Sequence, residues 1–470
     1  MLPLLLACIL FLTACGSGDG VELPPEPEEG ILIYAALNPV SNDLRVSINR
    51  FNLNHEDVQI EIRDYSDEGG MERLFTELSL GRVPDIMELH YLGGNEDDGW
   101  STLPYKDRSC EAWLPYRQLA QKGYLENLWP YIENDPDLGL DKVLMPPLKA
   151  TEVNGGLYML FSEVSITTLM GPEHIVGDRS GWTLDELRES YSTMPGDSTI
   201  LRYNATRWDM FSMLCAPLLE QYVDMEAGEN SFDSQEFRDM VEFLRDFPDE
   251  FKTPLSEEGV RVELVDRIVG GEQMLDATTV SGMWMITYAD VFFGAPVAFV
   301  GYPTADGSLG SFFNLHDGKL AMSSACRNKE AAWEFMRKIL TKKHDSQALR
   351  DMNGYGGTRK ININLENYEL ANRFDLTYDE RTKGHYSNGT DAQLNGPLGE
   401  QLFVVDMPNE DDLARFETLV NNTTQIYWPD KALSEIVWES ISPYFAGDKT
   451  LDETVQLVQN RVSLYVNENR

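Results

Sequence analysis

The sequence predicts an α/β chain folded as two lobes, each a mainly parallel sheet flanked by helices, with the polypeptide crossing between them more than once. Three observations predict it. From Ile31 onward the apolar pattern alternates strand, helix, strand, helix, strand. The chain has 470 residues, enough for two to three domains at roughly 150 residues each. A lone strand and helix between Lys319 and Lys342 have no neighbouring strand in sequence, so they need a sheet built earlier. The best candidate begins at Ile31, which requires the chain to leave its first domain, build a second and come back.

Met1 to Ala14 is uncharged and almost wholly apolar, too short to span a bilayer and followed by polar residues. It is expected to be an export leader. Leu12, Thr13, Ala14 and Cys15 resemble the lipobox of bacterial lipoproteins, which implies cleavage before Cys15 and a diacylglyceryl group on its sulfur. No Lys or Arg precedes the apolar run, so the natural start is expected upstream of Met1 or the sequence is trimmed. Residues 15–30 then form the acylated cysteine and a Gly, Ser, Pro and Glu tether with almost nothing to bury. Two acyl chains would hold the protein at a membrane where one would not.

Ile31 to Ala36 reads as the first strand. Leu44, Ile48 and Phe51 mark a helix, and Val58, Ile60 and Ile62 alternate as the second strand. Met71, Leu74, Phe75 and Leu78 mark another helix before Pro84-Asp85-Ile86 opens the third strand. This order implies a parallel sheet with right-handed crossovers. The Pro- and aromatic-rich residues 100–147 cap that lobe. Within them Asp135-x-Asp137-x-Gly139-x-Asp141 superficially resembles a calcium loop, but Pro146 stands where the twelfth-position glutamate belongs. Helix-capping carboxylates are the better reading.

The second lobe is marked by two expected capping boxes, Thr183 with Glu186 and Asp233 with Glu236. Phe237, Met240, Val241 and Leu244 follow on one helical face. Near the C-terminus one helix presents Leu433, Ile436, Val437, Ile441 and Tyr444. Another opens at a Thr450 and Glu453 box and presents Leu451, Val455, Val458, Val462 and Tyr465. In the return segment a loop leads to a short strand from Lys319 to Ser323. Asn328 then caps a helix whose apolar face is Ala332, Phe335, Met336, Ile339 and Leu340.

Gly301-Tyr-Pro-Thr, Lys319-Leu-Ala-Met-Ser-Ser and Asn328-Lys-Glu-Ala-Ala-Trp-Glu-Phe, in that order, resemble the return segment of the family 1 extracellular solute-binding proteins, the sugar-binding components of ABC importers. The likeness runs from Ile31 almost to the end, with Cys326 where the family commonly has serine and a long loop before Lys319. It implies a type II, periplasmic-binding-protein-like fold with hinge crossovers near Gly155-Gly156-Leu157-Tyr158 and at Gly354-Tyr355-Gly356-Gly357-Thr358-Arg359. Lobe one would comprise residues 31–150 and 302–356, and lobe two residues 151–301 and 357–470. The implied function is capture of a carbohydrate, an oligosaccharide above all, and its delivery to the permease of an ABC importer. The implied location is the outer face of a bacterial cytoplasmic membrane.

Charge and motifs bound the alternatives. With 38 basic against 78 acidic residues the formal charge is −40. A nucleic-acid partner is not expected, since phosphate neutralisation needs clustered Lys and Arg. The six histidines form no metal-ligating pair, and no nucleophile elbow or phosphate loop occurs. Neither metal nor cofactor is expected, and the chain reads as a monomeric binder rather than an enzyme. Cys110, Cys215 and Cys326 are too widely spaced for a metal site and allow at most one disulfide.

A pyranose presents an apolar face of C–H groups and a rim of hydroxyls, so aromatic rings beside carboxylates, amides or guanidinium groups are the candidates. Trp284 is the first, because the resemblance puts it on a cleft-facing loop. Trp208 has Asp209 as a polar neighbour. His90 and Tyr91 follow the third strand, where open parallel sheets bind ligands. Tyr355 sits among crossover glycines, Trp428 precedes Pro429, and Glu163 and Arg359 could bond hydroxyls. Ordinary packing or a salt bridge is the alternative at each position. The rival functions are a surface glycan-binding protein without a transporter, a binder of a peptide or polyamine, and a glycoside hydrolase.

Overall fold

The computed structural model describes residues 28–67, 69–91, 112–196, 198–201, 205–225, 227–249, 267, 270–342, 360–372, 409–428 and 430–469. Strand β1 (Ile31–Ala36), helix α1 (Asn42–Asn54), β2 (Gln59–Asp64), α2 (Gly70–Ser79) and β3 (Ile86–Glu88) follow the expected order. Ile31 pairs with Gln59 and Tyr34 with Ile86, both in parallel. Helix α1 buries Ile48 and Phe51 against this sheet, and Ser41 caps it by accepting from the Leu44 amide.

Next come β4 (His90–Tyr91), β5 (Ala112–Trp113), α3 (Tyr116–Gln121) and α4 (Trp129–Asn134). Asp135 ends α4 and accepts from the Asp137 and Leu138 amides and from Trp333 Nε1 at 2.9 Å, and it forms an ion pair with Arg337 at 2.7 Å. Its carboxylate is therefore committed to structure, although it does not cap a helix start as the capping reading expects: it ends α4, and Gly139 precedes the next helical turn with no side-chain cap.

Strand β6 (Leu160–Pro172) is the long crossing element. The chain continues through α5 (Leu184–Ser192), α6 (Arg207–Met210), α7 (Gln235–Leu244), β7 (Asp276–Val280), α8 (Trp284–Phe293) and β8 (Val297–Phe299). It returns along β9 (Phe312–Met322) into α9 (Lys329–Met336), and ends with β10 (Ile361–Asn362), α10 (Glu410–Asn422), β11 (Gln425–Ile426), α11 (Lys431–Phe445) and α12 (Leu451–Asn469). Among the described residues one nine-stranded sheet runs β8-β6-β9-β3-β1-β2, with β7 and β10 also on β6 and β11 on β9. The pairs β6 with β9 and β9 with β3 are antiparallel.

Two local expectations shift. Strand β9 starts at Phe312, not Lys319, because Phe313 and Leu315 alternate with the polar Asn314 and His316 and so pair with β6. A bulge at Gly318 and Lys319, with φ of 90° and 52°, divides it into the two halves that the sequence conceals. The cap of α7 is Ser234, not Asp233, since Ser234 Oγ accepts from the Phe237 amide at 3.3 Å. A turn from the Ser234 amide to the Ser231 carbonyl delays helix entry by one residue. The buried face of α7 is as expected.

The Thr183 box forms as expected: Thr183 Oγ1 accepts from the Glu186 amide at 3.3 Å, and the Glu186 carboxylate accepts from the Thr183 amide at 2.7 Å. That backbone bond, with help from Arg179, holds the Glu186 carboxyl below its ordinary value. Its stabilisation is complete above the ordinary glutamate value of about 4.3. It fades as the pH falls through the lower folded value. Thr183→Ala is expected to cost about 1 kcal/mol. Denaturant titration at neutral pH checks this, and an unchanged midpoint would mean that the cap carries nothing.

Two large apolar clusters form. The first holds Leu32, Ile86, Leu119, Phe161, Ile166, Phe313 and Met336, among others. The second holds Leu169, Trp182, Leu219, Phe237, Val300 and Val458. β6 passes from the first at Ile166 to the second at Leu169, and β9 divides between Phe312 and Phe313. A third passage lies between Trp428, in the first cluster, and Leu433, in the second. Ile361, Tyr368, Phe416 and Ile426 belong to the first.

Candidate binding cleft

A cavity of about 240 Å³ opens where the two clusters meet. Helix α3 supplies Arg117 from the first side. The opposite wall is a turn of 3₁₀ helix, Ala216–Tyr222, which packs Leu218 and Leu219 inward and turns Glu220 toward the cavity. β11 and the segment after it bring Gln425, Tyr427, Trp428 and Asp430 to the floor. Parallel pairing of Gln425 with Phe312 fixes this segment against the return strand.

The floor and walls combine rings with charge. The Trp428 ring meets Tyr116 edge to face at 4.9 Å, and Tyr116 is fully buried. Arg117 lies 5.7 Å from the Tyr116 ring centre and forms an ion pair with Glu220. Burial pushes the Glu220 carboxyl up from its ordinary value, Arg117 pulls it back, and the charge of Asp430 adds to the rise. Asp430 caps α11 by accepting from the Leu433 amide at 2.9 Å and takes the Tyr465 hydroxyl at 2.6 Å. It is therefore a fixed charge rather than a loose acid.

The expected site residues scatter. Trp428 lines the cavity. Trp208 does not line it: the ring is 45% exposed on α6 and meets Trp438 edge to face at 4.8 Å, beside Phe211. Asp209 completes a capping box with Thr206, accepting from its amide at 2.8 Å. His90 is buried at the end of lobe-one strands, its carbonyl held by Asn38 Nδ2, and Glu88 binds the Leu37 and Asn38 amides alongside. Glu163 lies on the polar face of β6 opposite His316 and accepts from Asn362 at 3.4 Å. On that face Ser165 bonds His316 at 2.8 Å and Asn314 bonds Thr167 at 2.6 Å. Trp284 begins a helix rather than lying in a loop; its side chain and that of Tyr91 lie outside the described part of the structure. Tyr355, Arg359 and Cys15 also lie outside the described residues. Cys215 and Cys326 are buried free thiols, and Cys110 lies outside the described residues.

Arg117, Glu220, Gln425, Tyr427 and Asp430 carry no motif that could have singled them out. The available hint is adjacency: Tyr427 and Asp430 flank the Trp428 that the sequence does nominate. Among the described residues no cluster of His, Cys, Asp or Glu is arranged to hold a metal ion.

No family model and no curated protein sequence matches the chain. Among solved structures it is similar over 94% of its length to a periplasmic oligogalacturonide binding protein from Yersinia enterocolitica, at 15% identity, with 100% of that chain covered and a TM-score of 0.50. The chain has the periplasmic-binding-protein fold. A family 1 extracellular solute-binding protein from Alicyclobacillus acidocaldarius is also similar, at 12% identity, with 94% of this chain and 100% of that one covered and a TM-score of 0.46. So is a de novo designed cysteine esterase, ECH19, at 13% identity, with coverages of 94% and 99% and a TM-score of 0.50.

Proposed function

We propose that this chain is a lipid-anchored solute-binding protein that captures a carbohydrate by hinge closure and delivers it to an ABC importer. One observation carries the reading: an interlobe cavity that joins aromatic rings to paired hydrogen-bonding groups, with each lobe supplying a wall. At about 240 Å³ it falls just below the roughly 300–1,000 Å³ of common small-molecule sites. Ligand touching both walls would favour the closed form by its differential affinity.

Lobe one would take residues 31–150 and 302–356, and we add the described residues 360–428 to it rather than to lobe two, because Ile361, Phe416 and Trp428 pack on its core. Lobe two would take 151–301 and the helices from Leu433 onward, although Leu157 to Ile166 and Val280 to Ile286 pack on the first core and Tyr302 and Phe312 on the second, where the chain crosses. The lipid anchor at Cys15 and the location on the outer face of the cytoplasmic membrane rest on the leader and lipobox pattern. No helix among the described residues is long and apolar enough to cross a membrane.

Thermal unfolding against a panel of neutral oligosaccharides tests the ligand class. A bound sugar at a hundred times its dissociation constant should add about 2.7 kcal/mol to folding stability. A panel in which peptides or polyamines stabilise the protein and glycans do not would replace the carbohydrate reading. Sustained release of sugar products would replace it with a hydrolase.

A further inference from the structure

We infer that the Arg117–Glu220 ion pair is an interlobe latch that holds the ligand-free cleft partly closed. The inference rests on the hinge reading above but not on the identity of the ligand. Arg117 stands on α3, whose Tyr116, Leu119 and Ala120 belong to the first core. Glu220 stands on the 3₁₀ turn whose Leu218, Leu219 and Tyr222 belong to the second. The contact therefore joins bodies rather than stiffening one. Most other described ion pairs act within one core's own elements, such as Arg63 with Glu77 in the first and Arg238 with Asp452 in the second.

Both ends are anchored. Arg117 lies beside the buried Tyr116 ring, while Glu220 leaves a segment whose apolar side chains are packed inward. Such a pair loses less side-chain freedom on forming than two free surface chains. Although the surrounding protein desolvates the Glu220 carboxyl, both side chains stay partly exposed, so salt reaches the pair and the latch can open. Because the pair lines the cavity wall, a ligand that enters meets a groove already near its closed width, which raises its apparent affinity by the closed fraction.

The full-length chain without ligand tests this. Nitroxide labels on Leu53→Cys, in lobe one, and Leu464→Cys, in lobe two, report the interlobe distance by pulsed electron resonance. The background carries Cys8→Ser, Cys15→Ser and Cys110→Ser; Cys215 and Cys326 are buried, and burial pushes the Cys326 thiol up to about 12, so they escape labelling. Arg117→Glu or Glu220→Arg alone should lengthen the distance at low ionic strength, with the closed-to-open ratio falling up to about fivefold. The double reversal should restore the wild-type distance, and salt should lengthen it in both wild type and double reversal. Lengthening that the double reversal does not reverse would overturn the latch. A control, Ala216→Trp, wedges a bulky ring into the cavity. If the wedge lengthens the distance and the charge reversals do not, the hinge stands and the latch falls. If neither does, the hinge reading falls with it.

Discussion

Asp85→Ala is expected to lower the unfolding free energy by about 2–4 kcal/mol, the sum of two backbone donors left buried or half-buried without an acceptor. Asp85 is 2% exposed and sits just before β3. One carboxylate oxygen accepts from the Ile33 amide at 2.8 Å, inside β1, and the other accepts from the Arg327 amide at 3.1 Å. The Arg327 guanidinium pairs with the same carboxylate. Removing it would strand the Ile33 amide in the core, whereas the Arg327 side chain, already 39% exposed, can turn to water. The loss should therefore be smaller than that of breaking a fully buried ion pair at the same position. Asp85→Asn, which keeps an acceptor oxygen, should lose less. Urea unfolding of both variants decides it, and equal losses would mean that charge rather than amide satisfaction controls the site.

Trp428→Ala should cost about 3–5 kcal/mol of stability, as large-to-small changes at buried aromatic positions do. The ring is 8% exposed and closes over Tyr116 at the cavity floor. A second consequence separates this change from a generic core defect: if the cleft binds carbohydrate, the stabilisation that the best glycan gives the wild type should shrink as well. Trp208→Ala is the comparison. Its half-exposed ring leans on Trp438 away from the cavity lining, so the stability loss should be smaller and the glycan response intact. Melting curves of the two variants with and without glycan read both effects. A glycan response lost in Trp208→Ala and kept in Trp428→Ala would move the binding surface to the α6–α11 aromatic shelf.

Much of the first lobe was legible because its apolar residues recur at the period of the element they build. Ile31–Ala36 and the faces led by Leu44 and Met71 could be read with no outside help. β9 was harder, since Gly318 and Lys319 interrupt the alternation that Phe313 and Leu315 begin, and the bulge there resembles a loop. The cavity was largely illegible for a different reason. Arg117, Glu220, Gln425 and Asp430 are ordinary polar residues that three separate segments bring together, and only the Trp428 ring stood out among them. Asp209 misled because a carboxylate three residues after a threonine serves a helix start as readily as a ligand.

The antiparallel pairing of β3 with the end of β9 governs how the nascent chain matures. As the ribosome or translocon releases the N-terminal third, β3 presents an unpaired edge that stays open until Leu320 to Met322 arrive. Contacts that span so much sequence form slowly, and a hydrophobic edge left waiting is prone to join the wrong neighbour. Newly made polypeptide should therefore depend on a chaperone until its return strand docks, and truncation before residue 320 should yield aggregates rather than a shorter folded body.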